Sequence, residues 1–188
     1  MSKKQILAFV GMPGSGKSLV ASYLQKKGLP FVRFGDLTKQ EIARRKLTLS
    51  PENEQVVRES IRQEFGMAAF ATKAKPKIKE LFLSHDTVAI DGMYSWEEYL
   101  FLKETFSYVF VIHIFANRSI RYERLAKRKA RPFTTKQAQK RDFAEIEKLN
   151  KGGPIAIADY LIDNTSDNKE ELYKKIDKLL LVLGIKNG

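Results

Sequence analysis

Between residues 11 and 18 the chain reads Gly11-Met12-Pro13-Gly14-Ser15-Gly16-Lys17-Ser18, a glycine-bounded loop followed at once by a lysine and a hydroxyl. Glycines let a backbone turn with its N–H groups pointing inward, and the helix N-terminus that follows adds a partial positive charge. Together they make a seat for an anion. Lys17 is spaced to reach the β- and γ-phosphates of a nucleoside triphosphate, and the Ser18 hydroxyl to ligate Mg²⁺, which prefers hard oxygen donors. The whole run Gly11, Met12, Pro13, Gly14, Ser15, Gly16, Lys17 and Ser18 is the expected ATP site.

Further side chains could complete such chemistry. Asp91 ends an apolar run, where an acid would hold Mg²⁺ directly or through water; capping the following helix is its alternative role. Asp36 follows Gly35 after another short run and could orient an attacking hydroxyl or accept its proton, or cap a helix. Arg44, beside Arg45, could hold an acceptor phosphate bidentately, and Tyr94 could reach the acceptor pocket. Arg118, Arg121, Arg124, Lys127, Arg128, Lys129 and Arg131 form a cationic run denser than solubility requires, with Arg121, Arg124 and Arg128 expected on one helical face. Arg141 lies in the next helical segment, facing back toward the run.

These residues need elements to hold them. Ile6–Val10 is a continuous apolar run, as expected of a strand buried on both faces, and Leu19, Val20, Tyr23 and Leu24 recur at helical spacing behind the glycine loop. Pro30–Phe34, Thr87–Asp91, Tyr108–Phe115 and Ala158–Ile162 read as further strands. Gly35-Asp36 opens a helix, Pro51 with Glu52 and Glu54 starts another running toward Ala68–Ala71, and Pro76 starts or kinks a third. A helix is expected over 118–131, a break at Pro132–Thr135, a charged helix beyond it, and a closing amphipathic helix over Leu172–Leu183. Strands alternating with helices predict a parallel sheet covered on both faces.

Composition narrows the classes. The 188 residues suit one α/β domain, and 43% hydrophobic residues with 30% charged ones suit a packed core. The chain has no cysteine and only two histidines, His85 and His113, which excludes disulfides and thiolate metal centres. No apolar run approaches the ~20 residues that a membrane-spanning helix needs, so a cytoplasmic protein is expected. The net charge of +12 favours polyanionic partners, either phosphorylated small molecules or a nucleic-acid backbone, and the small molecule is the favoured one.

With the glycine loop, Gly35-Asp36, Asp91-Gly92 and the arginine-rich break in view, the chain resembles the P-loop nucleoside-monophosphate-kinase-like family. Within it, the chain is most similar to dephospho-coenzyme A kinases and the archaeal-type proteins grouped with them. The resemblance implies a three-layer α/β fold with a five-stranded parallel sheet ordered 2-3-1-4-5, an acceptor-binding region near 36–84 and a lid near 118–142. It implies that Asp36 is the acceptor-side aspartate, that Arg131 and Arg141 are lid arginines, and that Asn164, in the segment Ile157–Asn164, lies near the donor adenine. The chain departs from related archaeal-type sequences at Tyr94, where they commonly carry arginine, and it lacks the Asp-Gly-Phe-Pro-Arg segment of adenylate kinases.

The expectation is therefore a kinase that moves the γ-phosphoryl of Mg·ATP to a nucleotide-like acceptor, either dephospho-coenzyme A or a nucleoside monophosphate. The alternatives are an NTP-hydrolysing regulator and a nucleic-acid-associated P-loop ATPase. Guanine selectivity has no support, because Asn168-Lys169-Glu170-Glu171 lacks the final aspartate of the guanine-reading motif.

Overall fold

A computed structural model of the chain describes residues 3–129 and 132–185. The five apolar runs are strands: β1 (Gln5–Val10), β2 (Phe31–Arg33), β3 (Thr87–Asp91), β4 (Tyr108–Phe115) and β5 (Tyr160–Asp163). They form one sheet in the order β2-β3-β1-β4-β5, with all four pairings parallel. The expected sheet order is the observed one. Register pairs Asp91 with Phe9 of β1 on one side and with Arg33 of β2 on the other, so three strands end together at the sheet's C-terminal edge. Loops leaving that edge line the ligand crevice of such sheets.

The strands carry apolar side chains on both faces because helices cover both. On one face Ile6, Ala8, Val10, Val88, Ile90 and Val111 pack with Phe34, Phe70, Ile78 and Leu102. On the other, Leu7, Phe9, Ala89, Ile112 and Ile114 pack with Val20, Leu24, Ile176 and Leu180. The first layer holds α2 (Phe34–Arg44), α3 (Pro51–Phe65), α4 (Ala69–Leu81) and α5 (Trp96–Thr105); the second holds α1 (Lys17–Lys26) and α9 (Lys169–Val182). The remaining elements are α6 (Arg118–Ala126), α7 (Thr135–Glu147), which lines the crevice through Arg141 and Glu145, and α8 (Gly152–Ala156), which packs Ile155 on the first layer's core. Among the described residues no helix is long and apolar enough to cross a membrane.

Several boundaries differ from expectation. Pro76 lies inside α4 instead of starting a helix, so that helix forgoes the bond an N–H at 76 would make to residue 72. The helix at 118 stops at Ala126 because the chain turns back: Phe133 N donates to the Leu125 carbonyl at 3.1 Å. Asp36 is not a cap, since α2 begins two residues before it with Arg33 at the N-cap. Asp91 is not one either. The cap of α5 is Ser95, whose side chain accepts from Glu98 N at 3.0 Å while Glu98 reaches back to Ser95 N at 3.2 Å, a reciprocal capping box.

Candidate active site

The chain leaves the centre of the sheet at Val10 and wraps Gly11–Gly16 over the strand tips before entering α1 at Lys17. Three glycines there are sterically obligatory: Gly11 has φ +146°, and a Cβ on it would sit 2.4 Å from the Ile114 carbonyl oxygen. Gly14 has φ +82°, and a Cβ on it would sit 2.6 Å from the Arg121 carbonyl oxygen; Gly16 has φ +103°, and its Cβ would sit 2.2 Å from Asn164 Nδ2.

The loop is braced from behind by three buried polar side chains. Arg121 Nη1 donates to the Pro13 carbonyl at 2.9 Å, and the same guanidinium grips Asp142 of α7 through both carboxylate oxygens at 3.0 and 2.6 Å. Asn164, after β5, donates its side-chain amide to the Ser15 carbonyl at 2.8 Å. Arg124 then fixes the segment around Asn164, donating to the carbonyls of Asn164 and Ser166 at 2.8 and 2.7 Å and pairing with Asp167. Arg121 and Arg124, two members of the cationic run expected on one helical face, are therefore struts. Asn164, expected beside the donor base, is buried beneath the phosphate loop, where its side chain supports backbone.

In front of the loop lies a cleft of about 150 Å³ lined by Pro13, Gly14, Gly16, Lys17, Ser18, Asp91, Tyr94, Arg128, Arg141, Glu145 and Lys151. Four cations there face two carboxylates. Lys17 Nζ rests on the loop itself, donating to the Gly11 carbonyl at 2.6 Å and the Met12 carbonyl at 3.2 Å. Burial, reinforced by the Lys151 charge, pulls its pKa down to about 7 from an ordinary 10.5, against the opposing pull of Asp91 and Glu145. Burial likewise raises Asp91 above the usual carboxylate range, although Lys17, Arg33 and Lys151 draw it back. Desolvation also lifts the Tyr94 phenol.

Ser18 is exposed in the first turn of α1 and shares the cleft with Asp91, so the protein offers a hydroxyl and a carboxylate to one space. That donor set fits Mg²⁺, which takes few protein oxygens and keeps several waters. No cluster of three or more His, Cys, Asp or Glu able to hold a metal is found among the described residues.

Asp36 and Arg44, also expected at the site, do not line this cleft. Arg131 lies outside the described residues. Asp36 is bonded to Lys39 at 3.2 Å. Its turn nonetheless abuts the strand tips: a Cβ on Gly92 would lie 3.3 Å from Phe34 Cβ and 3.7 Å from Gly35 N. Arg44 does not reach the cleft. It forks onto Glu41 at 2.7 and 2.6 Å and lines a separate groove of about 430 Å³ with Leu37, Ile61, Phe65 and Lys73, because its position on α2 points away from the strand tips.

Two residues escaped sequence reasoning. Lys151 is buried, its ammonium bonded to Glu145 Oε2 and placed 4.4 Å from the centre of the Tyr94 ring. Glu145 also takes Arg141 Nε at 3.1 Å. Burial alone would raise the Glu145 pKa, but Lys151 and Arg141 outweigh it and hold the carboxylate below its usual range.

Comparison with known proteins agrees with this architecture. Residues 7–150 match the family model described as an AAA domain (AAA_18). A UPF0200 protein of Thermococcus sibiricus is 38% identical over 185 residues, covering 96% of each chain. A UPF0200 protein of Thermococcus gammatolerans is 33% identical, covering 97% of this chain and 98% of its own. Among solved structures, shikimate kinase from Bacteroides thetaiotaomicron superimposes with a TM-score of 0.60 at 15% identity, covering 96% of this chain and 99% of that one. Shikimate kinase from Acinetobacter baumannii in complex with shikimate gives 0.59 at 20% identity, covering 97% and 96%. A sugar kinase from Janibacter gives 0.59 at 18%, covering 98% and 96%. At such identities the structural likeness establishes the α/β P-loop kinase fold, and the sequence relatives establish the lineage: the chain belongs to the UPF0200 family.

Proposed function

We propose that the chain is an ATP-dependent phosphotransferase that moves the γ-phosphoryl group of Mg·ATP to a nucleotide-like small molecule, dephospho-coenzyme A or a nucleoside monophosphate. One observation carries this: a glycine loop, four cations and two carboxylates share one cleft at the C-terminal edge of the sheet. Cations closing around phosphate oxygens stabilise the charge that phosphoryl transfer spreads over them.

In this reading the Gly11–Gly16 N–H groups and Lys17 take the donor phosphates, with the lysine leaving the Gly11 and Met12 carbonyls to do so. Ser18 and Asp91 would hold Mg²⁺, which would neutralise charge on the phosphates. Arg128, just past α6, and Arg141, on α7, close on the cleft and exclude water, so that transfer outcompetes hydrolysis. Arg131, between them in sequence, is assigned to the same closure. On the acceptor side, Tyr94 lines the cleft and Asp36, at the head of α2, is the carboxylate that takes the proton when the acceptor is a hydroxyl. Burying an unpaired acceptor phosphate would be costly, and the surplus of cations favours an anionic acceptor over a neutral one.

The test is phosphoryl transfer from Mg·ATP to a panel holding dephospho-coenzyme A, the nucleoside monophosphates, shikimate and gluconate, with phosphate release followed in parallel. A single phosphorylated nucleotide-like product is the expected result. Slow phosphate release that no acceptor changes would replace this reading with that of a nucleotide-hydrolysing regulator.

A further inference from the structure

We infer that Lys151 is a second phosphate-binding cation of this cleft: its ammonium leaves Glu145 to bind the terminal phosphoryl group, and Glu145 is the positioning residue that holds it until then. The inference rests on the phosphotransferase reading above and assigns a contact to a residue in no recognised motif.

Lysine is among the residue types almost never buried without a purpose. Here the side chain is only 2% exposed, and its ammonium is bound by Glu145 and lies over the Tyr94 ring at 4.4 Å. A leucine or methionine would fill the same space without the cost of desolvating an ion, and such replacements of buried pairs are often stabilising. A packing role is therefore a poor account of a lysine at this position.

The backbone around it is built to aim it. Asn150 adopts a left-handed φ of 51°. Its side-chain amide donates to Glu97 at the start of α5 at 3.1 Å, and Lys151 N closes the turn onto the Glu145 carbonyl at 3.3 Å. Two residues on, Gly153 packs so tightly on Trp96 that a Cβ would lie 2.8 Å from the indole. Clamped on both sides, the turn inserts Lys151 into the cleft among Lys17, Asp91 and Tyr94.

Glu145 is shared. One carboxylate oxygen takes Lys151 and the other takes Arg141, so a single anion is counter-ion to two cleft cations. An incoming triphosphate competes for both with a higher charge. Because Lys151 stands with Asp91 and Tyr94, away from the Asn164 and Arg121 braces under the loop, it meets the terminal phosphoryl group and not the inner ones. During transfer the acceptor oxygen forms a bond to the γ-phosphorus as the bond to the bridging oxygen breaks, and that electron pair leaves with ADP. A hydroxyl acceptor's proton passes to Asp36. Lys151 stays protonated throughout, donating to a non-bridging oxygen of the group in flight.

The experiment compares wild type with Lys151→Met, Lys151→Arg and Glu145→Gln, measuring affinity for ADP and for the β,γ-imido analogue of ATP by titration calorimetry, together with kcat and Tm. Lys151→Met is expected to weaken the imido analogue ~10-fold or more and lower kcat ~10²–10³-fold, while ADP affinity stays within about twofold; Tm should fall, since the buried Glu145 loses one of its two cations, and Lys151→Arg should restore it. Lys151→Arg should recover most of the analogue affinity. Equal weakening of both nucleotides, or a Tm loss that Lys151→Arg does not repair, would show a structural staple and overturn the inference. Analogue affinity unchanged in Lys151→Met would overturn it as well. Should the analogue discriminate as expected while wild type phosphorylates no acceptor, the terminal-phosphate contact stands and the phosphotransferase reading is the one that fails.

Discussion

The two flanks of the phosphate loop are held by different means. Beneath the loop, every strut is a short bond to backbone or a two-pronged ion pair: Arg121 on Pro13 and Asp142, Asn164 on Ser15, Arg124 on the 164–167 segment. Toward α2 and α3 some side chains are paired more loosely, although Glu41 holds Arg44 and Arg45 tightly. Asp36 pairs with Lys39, both half in solvent. Arg62 lies on the Phe70 ring with its Nη2 3.7 Å from Glu98 Oε1, beyond hydrogen-bond distance, and its own Nε is buried without a partner among the described residues. Burial pushes the Glu98 carboxyl up to about 7 although Arg62 opposes the shift. Under the phosphotransferase proposal, a preorganised donor seat beside an under-satisfied acceptor flank would let one nucleotide chemistry serve many acceptors.

The largest effect should come from the centre of the rigid flank. Lys17→Ala is expected to lower phosphoryl transfer ~10³-fold or more while leaving Tm unchanged or slightly raised, since it removes a desolvated ammonium. Full activity in that variant would break the assignment. Next, Asp142→Ala leaves Arg121 buried without its carboxylate; denaturant unfolding should show a loss of ~3–5 kcal/mol, and nucleotide affinity should fall as Pro13 loosens. If affinity stayed constant, the strut would be irrelevant to the loop.

A subtler prediction concerns protons. Below pH 7 Lys17 is charged whether folded or unfolded, and the cost of burying that charge is fully present. Between about 7 and its ordinary 10.5 the unfolded chain holds a proton that the folded chain has lost, so this group's contribution to stability rises with pH across that window. Triphosphate binding restores the ammonium. Calorimetry at pH 8–9 in buffers of different ionisation enthalpy should therefore report proton uptake on nucleotide binding, and Lys17→Met should abolish it. The smallest effect is expected on the loose flank: Arg44→Ala should leave kcat/KM and Tm nearly unmoved, because that side chain is exposed and outside the cleft. A large rise in KM for the acceptor would move the acceptor site to the α2–α3–α4 groove.

What could be read in advance followed from how local its cause was. The β1 run, the glycine loop and Asp91 carry their roles in adjacent residues, and the structure places them together. Arg121 and Arg124 were visible as cations, but helical spacing alone does not say which neighbour a face will meet, and theirs is the underside of the loop. Arg44 was placed on the correct helix, but its spacing could not show that it lines the groove among α2, α3 and α4 and not the cleft. Lys151 gave no signal, because its burial depends on a left-handed Asn150 bonded to Glu97 and on the packing of Gly153 against Trp96, partners distant in sequence. The short helix α8 was missed for the same reason.

The bond from Asn164 to Ser15 spans 149 positions of the chain. Loop closure over such distances is slow, and contacts of this range form late. During synthesis the glycine loop leaves the ribosome early but stays without its brace until β5 has docked on β4. Nucleotide affinity should accordingly mature only when the sheet is complete, so that ATP binds the finished protein in preference to its partly folded forms and draws the last folding step forward.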